Sequence, residues 1–528
     1  MHSSRCRAHT RTDPTGTHGS VLAMPRPALV RYGGLAGSAS LAVAAWLGGA
    51  TDPWQPTVTP STIFAGDDGI LLPVAWLAGT GLLIAAWVAG VRLEKTARWA
   101  CVTAALWMLP LVAFLPLGSY DAYSYACQGW QQSAGLDPYA GGVDVLGCPW
   151  ADAVAPTWRD APAPYGPLFL VLAGIAAKAT GSLAGTLVGL RVIALLGVGL
   201  IAVALPVLAR RGNVPLGRAV WLALACPLVP IHLISGAHND ALMVGLLVAG
   251  LAVAVVRKGW AAGLAVGVLL GLAVAVKATA VVVAPFALLL LLDRRIRSGE
   301  NGITGGDRPV ANPAVLSEGR RNVGPLPGRA GEVVANATAL VGGLLLALAA
   351  VSAVSGRGFG WVTALSGSGV SVQWTSLPTA LGMTIDLIGP DAVPVTRVLG
   401  IVALAGVLIS LWWTARNKNP LLYAGYALAA TVLLAPVFHP WYALWPLPIL
   451  AATLHDRLRW LVVPCAVAAA LCLPDGYNLA LAVKAQGAVA MTAFILYLAW
   501  KSVDEAKNRT AERRRADHDP DRLSRRDA

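Results

Sequence analysis

The sequence predicts an all-α, polytopic helical membrane protein, and three observations carry that prediction. Of 528 residues, 56% are hydrophobic and only 13% charged, where soluble domains carry about 25%. Mean hydropathy is +0.64. Apolar runs recur along the chain, many of them reaching the ~17–25 residues that cross a bilayer as a helix. Lipid supplies no hydrogen-bond partners, so such spans must satisfy their own backbone, which helices do.

Taken in order, the first 23 residues are polar and lack the apolar core of a signal peptide, so they read as a disordered tail or an extension upstream of a start near Met24, and residues 1–32 as a whole read as a cytoplasmic tail. Spans are expected near 33–50, 70–91, 98–117, 186–209, 219–235, 240–256, 260–276, 279–292, 334–354, 395–415, 421–437, 443–454, 460–474 and 478–500. Several are short, which sets the expected number at about 12–14. Residues 33–500 form the transmembrane domain, and 501–528 an Arg-rich cytoplasmic tail. Basic residues test the order. Arg26, Arg31, Arg92, Lys95, Arg98, Arg210, Arg211, Arg257, Lys258, Arg294, Arg295, Arg416, Lys418, Arg457 and Arg459 fall on one side if the N-terminus is cytoplasmic. The net charge of +13 therefore reflects cytoplasmic loops and termini, not a nucleic-acid partner. A Gly-, Pro- and Arg-rich loop at 293–333 reads as disordered linker on that same side. The apolar segment 165–178 is short, and counting it as a span would put Arg210 and Arg211 outside; it reads as a re-entrant or interfacial helix.

The alternate loops are acidic. Residues 51–69 hold Asp52, Asp67 and Asp68 without a basic residue, and 118–165 hold Asp121, Asp137, Asp144, Asp152 and Asp160 against Arg159 alone. The second of these, the first large external loop, runs Gly118-Ser-Tyr-Asp-Ala-Tyr-Ser-Tyr, then Gly135-Leu-Asp-Pro-Tyr139, then Ala163-Pro-Tyr-Gly-Pro167. Flat aromatic rings suit the apolar face of a sugar, while carboxylates and hydroxyls suit its O–H groups. Tyr120, Tyr123, Tyr125, Asp137, Tyr139 and Tyr165 are thus candidate substrate contacts, although Tyr and Trp also populate any membrane interface. Asp121 is the candidate general base, placed where a lipid-linked substrate presents its reactive group. It could equally cap the helix that follows, and the two roles are compatible.

Two further outward turns are polar. His238, Asn239 and Asp240 form one, suited to capping the next span, to orienting a sugar, or in part to a metal, for which they are too few ligands. His439, Trp441 and Tyr442 form the other, bracketed by Pro436 and Pro440. Arg191 and Lys277 are cations near the outer ends of spans, and a cation there points to a phosphate, or else snorkels to the interface. The stretch from Ser355, with Arg357, Gln373 and Trp374, offers another wall for the same cavity. Cys127 and Cys148 are the cysteine pair that shares the external loop, and a disulfide there would hold it by ~3 kcal/mol.

The segments SYDAYSY, GLDPY, APYGPLFL, ISGAHNDALMVGLLVAG, TSLPTALG and FHPWYALWPLPIL, in this order, resemble the polyprenol-phosphomannose-dependent α-(1→6)-mannosyltransferases of actinobacterial lipomannan assembly, the MptA/MptB type. The resemblance spans about residues 115–455. It implies the GT-C architecture of integral membrane glycosyltransferases, with external loop helices and an acid in the first large external loop as catalytic centre; Asp121 matches that place. The Cys127/Cys148 pair is not a feature of the whole family. The resemblance also implies a plasma-membrane enzyme working on the external face, where no nucleotide sugar is present. Its donor would be polyprenyl-phosphate-mannose, with its phosphate at Lys277 or Arg191, and its acceptor a mannan or phosphatidylinositol-mannoside. Inversion at the anomeric carbon would turn a β-linked donor into an α product. No cofactor is expected; some relatives of the class use a divalent metal, but the sequence offers no closed ligand set. Two alternatives are a GT-C transferase of another lipid-linked sugar and a lipid-linked sugar flippase. A flippase would show internal repeats and mid-span ionisable groups, and no repeat is seen.

Overall fold

The computed structural model describes residues 26–53, 70–293, 329–365 and 371–517. The expectations for the N-terminal tail up to residue 25, for Asp67 and Asp68, for the linker 294–328 and for residues 518–528 lie outside the described residues. Among the described residues every regular element is a helix, with one isolated antiparallel bridge between Cys472 and Asn478. The α-helices are α1 (Pro27–Gly48), α2 (Leu71–Val91), α3 (Ala97–Met108), α4 (Asp121–Ser133), α5 (Val143–Leu146), α6 (Pro156–Arg159), α7 (Pro167–Thr180), α8 (Leu183–Gly212), α9 (Leu216–Leu224) and α10 (Asp240–Val256). They continue as α11 (Trp260–Val274), α12 (Ala284–Leu292), α13 (Arg329–Ser355), α14 (Gly360–Ala364), α15 (Leu377–Ile385), α16 (Val393–Ala415), α17 (Pro420–Leu434), α18 (Leu447–Ala451), α19 (Arg459–Ala470) and α20 (Lys484–Asp517).

Among the described residues six helical segments are long and apolar enough to cross a membrane: α1, α2, α8, Ala330–Ser355, α16 and Leu479–Lys501. A seventh arises if Leu216–Leu224 and Val229–Ser235 are one broken span, bent by 61°. Shorter apolar helices of 10–17 residues pack among them. The expected span 219–235 is thus broken, for a local reason. Pro227 and Pro230 lack the N–H that an α-helix needs, and the chain resumes as a π-helical turn over Val229–Ser235. Helix α7 has 14 residues, about 21 Å at 1.5 Å per residue, which is short of the ~30 Å hydrocarbon core. Gly181, at φ +61°, turns it back into α8 as a hairpin. By contrast α16 buries only 11% of its most apolar stretch, as a helix bathed in lipid would.

Glycines let the helices approach. Gly263, Gly267 and Gly271 line one face of α11 at four-residue spacing, and α13 lies against it. A Cβ on Gly267 would come within 2.1 Å of the Leu340 carbonyl oxygen, and one on Gly343 within 2.3 Å of that of Leu264. The α8–α10 crossing is made the same way by Gly197 and Gly245. Between α2 and α9 the lock is polar: the Trp87 indole donates to the Trp221 carbonyl at 3.2 Å, and the Trp221 indole to that of Trp87 at 3.0 Å.

Replacing Gly267 with Leu should therefore overpack the α11–α13 contact and cost about 1–3 kcal/mol. Thermal unfolding in detergent should show this as a lowered midpoint, and an unchanged midpoint would contradict the packing described.

Candidate functional site

The loop after α3 returns toward the helix ends and is pinned before α4 begins. The Gly118 N–H donates to the Pro474 carbonyl at 2.8 Å, with Gly118 at φ +78°. Helix α4 then opens with Tyr120 at its N-cap, and that side chain makes no capping bond. Asp121 occupies the first turn, where the helix dipole favours an acid. A close helix contact and a disulfide help to hold α4 in place. Gly129 lets it lie on α7, since a Cβ there would sit 2.6 Å from the Ala173 carbonyl oxygen. Cys127 and Cys148 are joined by a disulfide, tying α4 to the loop beyond α5.

Asp121 faces a cavity of about 180 Å³. Tyr165, Lys277, His439, Trp441, Tyr442 and Trp445 line it, with Trp158, Thr279 and Leu365 at other walls. Burial pushes the Asp121 carboxyl up to about 6; Lys277 and the hydrogen bonds of Ser119 and Tyr125 pull it back, and Asp240 adds to the rise. The cavity is thus apolar and aromatic on most sides, with one carboxylate and one ammonium among its lining residues.

That ammonium is fixed by Asp240. Lys277 Nζ donates to Asp240 Oδ1 at 2.8 Å, and the Trp445 indole donates to the same oxygen at 2.6 Å. Asp240 is fully buried, while the Lys277 side chain keeps 14% exposure at the cavity. Lys277 also lies 4.8 Å from the Tyr442 ring and 5.2 Å from that of Trp445, within cation–π range. The backbone just before it is clipped to residues 166–168: Gly166 N–H donates to Val276 O at 3.0 Å and Leu168 N–H to Ala275 O at 2.9 Å. A Cβ on Gly166 would lie 2.2 Å from the Ala275 oxygen, so this clip requires glycine.

The π-helical turn delivers the His238–Asp240 segment. Ala237, at φ +49°, holds a left-handed conformation that a residue with a side chain rarely takes, and it sits directly before His238. His238 stacks on Trp441 with centroids 4.1 Å apart, and His439 stacks on Trp441 from 4.6 Å. His238 Nδ1 lies 3.7 Å from Asp121 Oδ2 and 4.0 Å from Asp240 Oδ2. Asn239 takes the N-cap position of α10 without a capping bond, and both polar atoms of its side chain are buried without a partner.

Other sequence candidates lie elsewhere. The Tyr123 hydroxyl donates to the Ala50 carbonyl at 2.6 Å, and the Tyr120 hydroxyl accepts from the Thr51 N–H at 3.3 Å, so both brace α4 against the chain after α1. Asp137 accepts from the Tyr139 N–H at 3.0 Å, and the Tyr139 hydroxyl donates to the Tyr165 carbonyl at 3.0 Å. Arg191 stands outside the cavity lining: its guanidinium donates to the carbonyls of Val112, Phe114 and Ser235, clamping the loop after α3 to the π-helical turn. Arg357 donates to Gln132 Oε1 at 3.1 Å, and the Trp374 indole to the Ala480 carbonyl; Leu365 is what that region adds to the cavity. Trp445, Thr279 and Leu365 were missed as site residues. Trp445 carried a signal, an indole four residues after Trp441 and so on the same side of a helical turn, but it reads equally as an interface aromatic.

Two family models match the chain. One, described as alpha-(1->6)-mannopyranosyltransferase, N-terminal domain, covers residues 31–293, and the other, described as MptB C-terminal domain, covers 371–501. Among similar proteins is alpha-(1->6)-mannopyranosyltransferase A of Mycobacterium tuberculosis, 34% identical over 427 residues, or 77% of this chain and 76% of the relative. Another is alpha-(1->6)-mannopyranosyltransferase B of Corynebacterium glutamicum, 29% identical over 414 residues, 71% of this chain and 64% of that one.

Removing one partner of a buried ion pair strands the other. Asp240→Leu should therefore cost about 3–5 kcal/mol, and the double variant Asp240→Leu/Lys277→Met should recover much of that. Denaturation of the purified variants checks it, and purely additive losses would show the two side chains to be uncoupled.

Proposed function

Because the chain belongs to the alpha-(1->6)-mannopyranosyltransferase family and is a mannosyltransferase, we propose that it moves mannose from a polyprenyl-phosphate carrier to an α-(1→6)-mannan or phosphatidylinositol-mannoside acceptor on the external face of the plasma membrane. The observation that carries this reading is that a buried carboxylate, Asp121, and the Lys277 ammonium line one aromatic cavity.

In the proposed reaction the acceptor 6-hydroxyl lies against Asp121, which takes its proton as the oxygen bonds to the anomeric carbon. The bond from that carbon to the carrier's phosphate oxygen breaks on the opposite face. A β-linked donor gives an α product, and the carrier leaves as polyprenyl phosphate. Lys277 has three N–H donors and spends one on Asp240, leaving others to meet the phosphate as its charge grows. The stacked rings of His439 and Trp441, with Tyr442 and Tyr165, supply flat faces for the sugars. Among the described residues no group of three or more His, Cys, Asp or Glu is placed to hold a metal ion.

The test is transfer from radiolabelled polyprenyl-phosphate-mannose to a short α-(1→6)-mannoside in membranes. Wild type should transfer label and Asp121→Asn almost none; normal turnover by Asp121→Asn would remove Asp121 as base. A carrier bearing arabinose or glucose serves as competitor, and its preferred use would change the donor. The acid limb of kcat should fall near pH 6, because only the ionised carboxylate accepts a proton. The same raised value gives the sign of the stability effect. Folding favours the protonated acid, so its contribution is full below the unfolded value of 3.8 and is lost as pH rises through about 6. Asp121→Asn should then be as stable as wild type at neutral pH, or more so, while inactive.

A further inference from the structure

Tyr125 and His238 sit behind Asp121, away from the cavity lining. Both are almost fully buried, at 1% and 0% exposure. Tyr125 lies one helical turn after Asp121 on α4, so its side chain shares the acid's face of the helix. Its hydroxyl is 3.4 Å from Asp121 Oδ2 and 3.3 Å from His238 Nδ1. Its ring is held edge-on by Tyr165 and Phe169, with centroids at 5.0 and 4.9 Å.

We propose that Tyr125 and His238 are positioning residues for Asp121: together they engage Oδ2, so that Oδ1 is the oxygen presented to the acceptor hydroxyl. This rests on the reading of Asp121 as the base. Three oxygens surround His238 Nδ1: the Tyr125 hydroxyl, Asp121 Oδ2 at 3.7 Å and Asp240 Oδ2 at 4.0 Å. A nitrogen facing two carboxylates and a phenol carries the proton, which makes it a donor. The Tyr125 oxygen then accepts from His238, and its own O–H is free to donate to Oδ2. The separations are loose, as is common before substrate closes a site. The acid is also faced by charged Lys277 and Asp240 and by the Ser119 hydroxyl, and the phenols of Tyr165 and Tyr442 lie within its electrostatic reach. None of these groups duplicates the Tyr125–His238 contact.

Tyr125→Phe deletes one oxygen and keeps the packed ring. If the pair positions the base, kcat should fall ~10-fold, about the worth of one hydrogen bond to a charged group. The donor KM should stay unchanged, and the acid limb of the pH profile should move upward, because the carboxylate loses a donor that favours its charged form. Unchanged kcat and limb would overturn the proposal, as would a raised KM with normal kcat, which would make Tyr125 a substrate contact. A second pair stands in should Tyr125→Phe not fold: His238→Asn keeps an N–H near the Nδ1 position, and His238→Leu removes it. Asn should retain more turnover than Leu, and equal losses would sink the idea. Asp121→Asn, run alongside, separates the two failures. If it stays active the base assignment itself falls; if it is inactive while Tyr125→Phe behaves as wild type, only the positioning role falls.

Discussion

A fully buried carboxylate in an apolar bundle is the constraint to which the rest of the site conforms. Desolvation makes a lone Asp240 costly, and the structure answers with two donors to one oxygen, the Lys277 ammonium and the Trp445 indole. These come from three places in the chain: the start of α10, the segment after α11, and the turn before α18. Satisfying one acid therefore registers three elements against each other. The cavity is the space left between that knot and the start of α4.

Asp121 lives under a different rule. Among the described residues no lysine or arginine sits on it at ion-pair distance, its nearest titratable contacts are the Tyr125 hydroxyl at 3.4 Å and His238 Nδ1 at 3.7 Å, and its carboxyl is pushed up rather than held down. Two acids in one small volume thus meet different surroundings, an ammonium at 2.8 Å for Asp240 and a hydroxyl and an imidazole for Asp121. One is committed to structure through its lysine, and the other is left able to change protonation near neutral pH. Burial of both is enforced by aromatic rings, so the same residues that shape the cavity also set its electrostatics.

The helical class and most segment positions were legible because apolar runs announce themselves regardless of packing. The grouping of Asp121, His439, Trp441 and Tyr442 around one cavity was foreshadowed by their polar character in otherwise apolar surroundings. What escaped the sequence was partnership. Nothing local says that Lys277 will meet an acid 37 residues earlier, or that Arg191 will spend itself on backbone carbonyls of a loop far from it in sequence. The bend at Pro227 was hidden because the apolar run continues through it. Tyr120 and Tyr123 looked like their neighbour Tyr125, yet the helical period turns them toward Ala50 and Thr51 instead.

The cavity is also a seam. Asp121 and Lys277 belong to the stretch matched by the N-terminal family model, while His439, Trp441, Tyr442 and Trp445 belong to the stretch matched by the C-terminal one. Neither portion holds a complete wall. A chimaera joining the front of this chain to the back of a cousin would have to carry a compatible indole opposite Asp240, or it would leave a lysine and an acid to find each other across a mismatched gap. Such coupling means that neither portion can be exchanged without regard to the other.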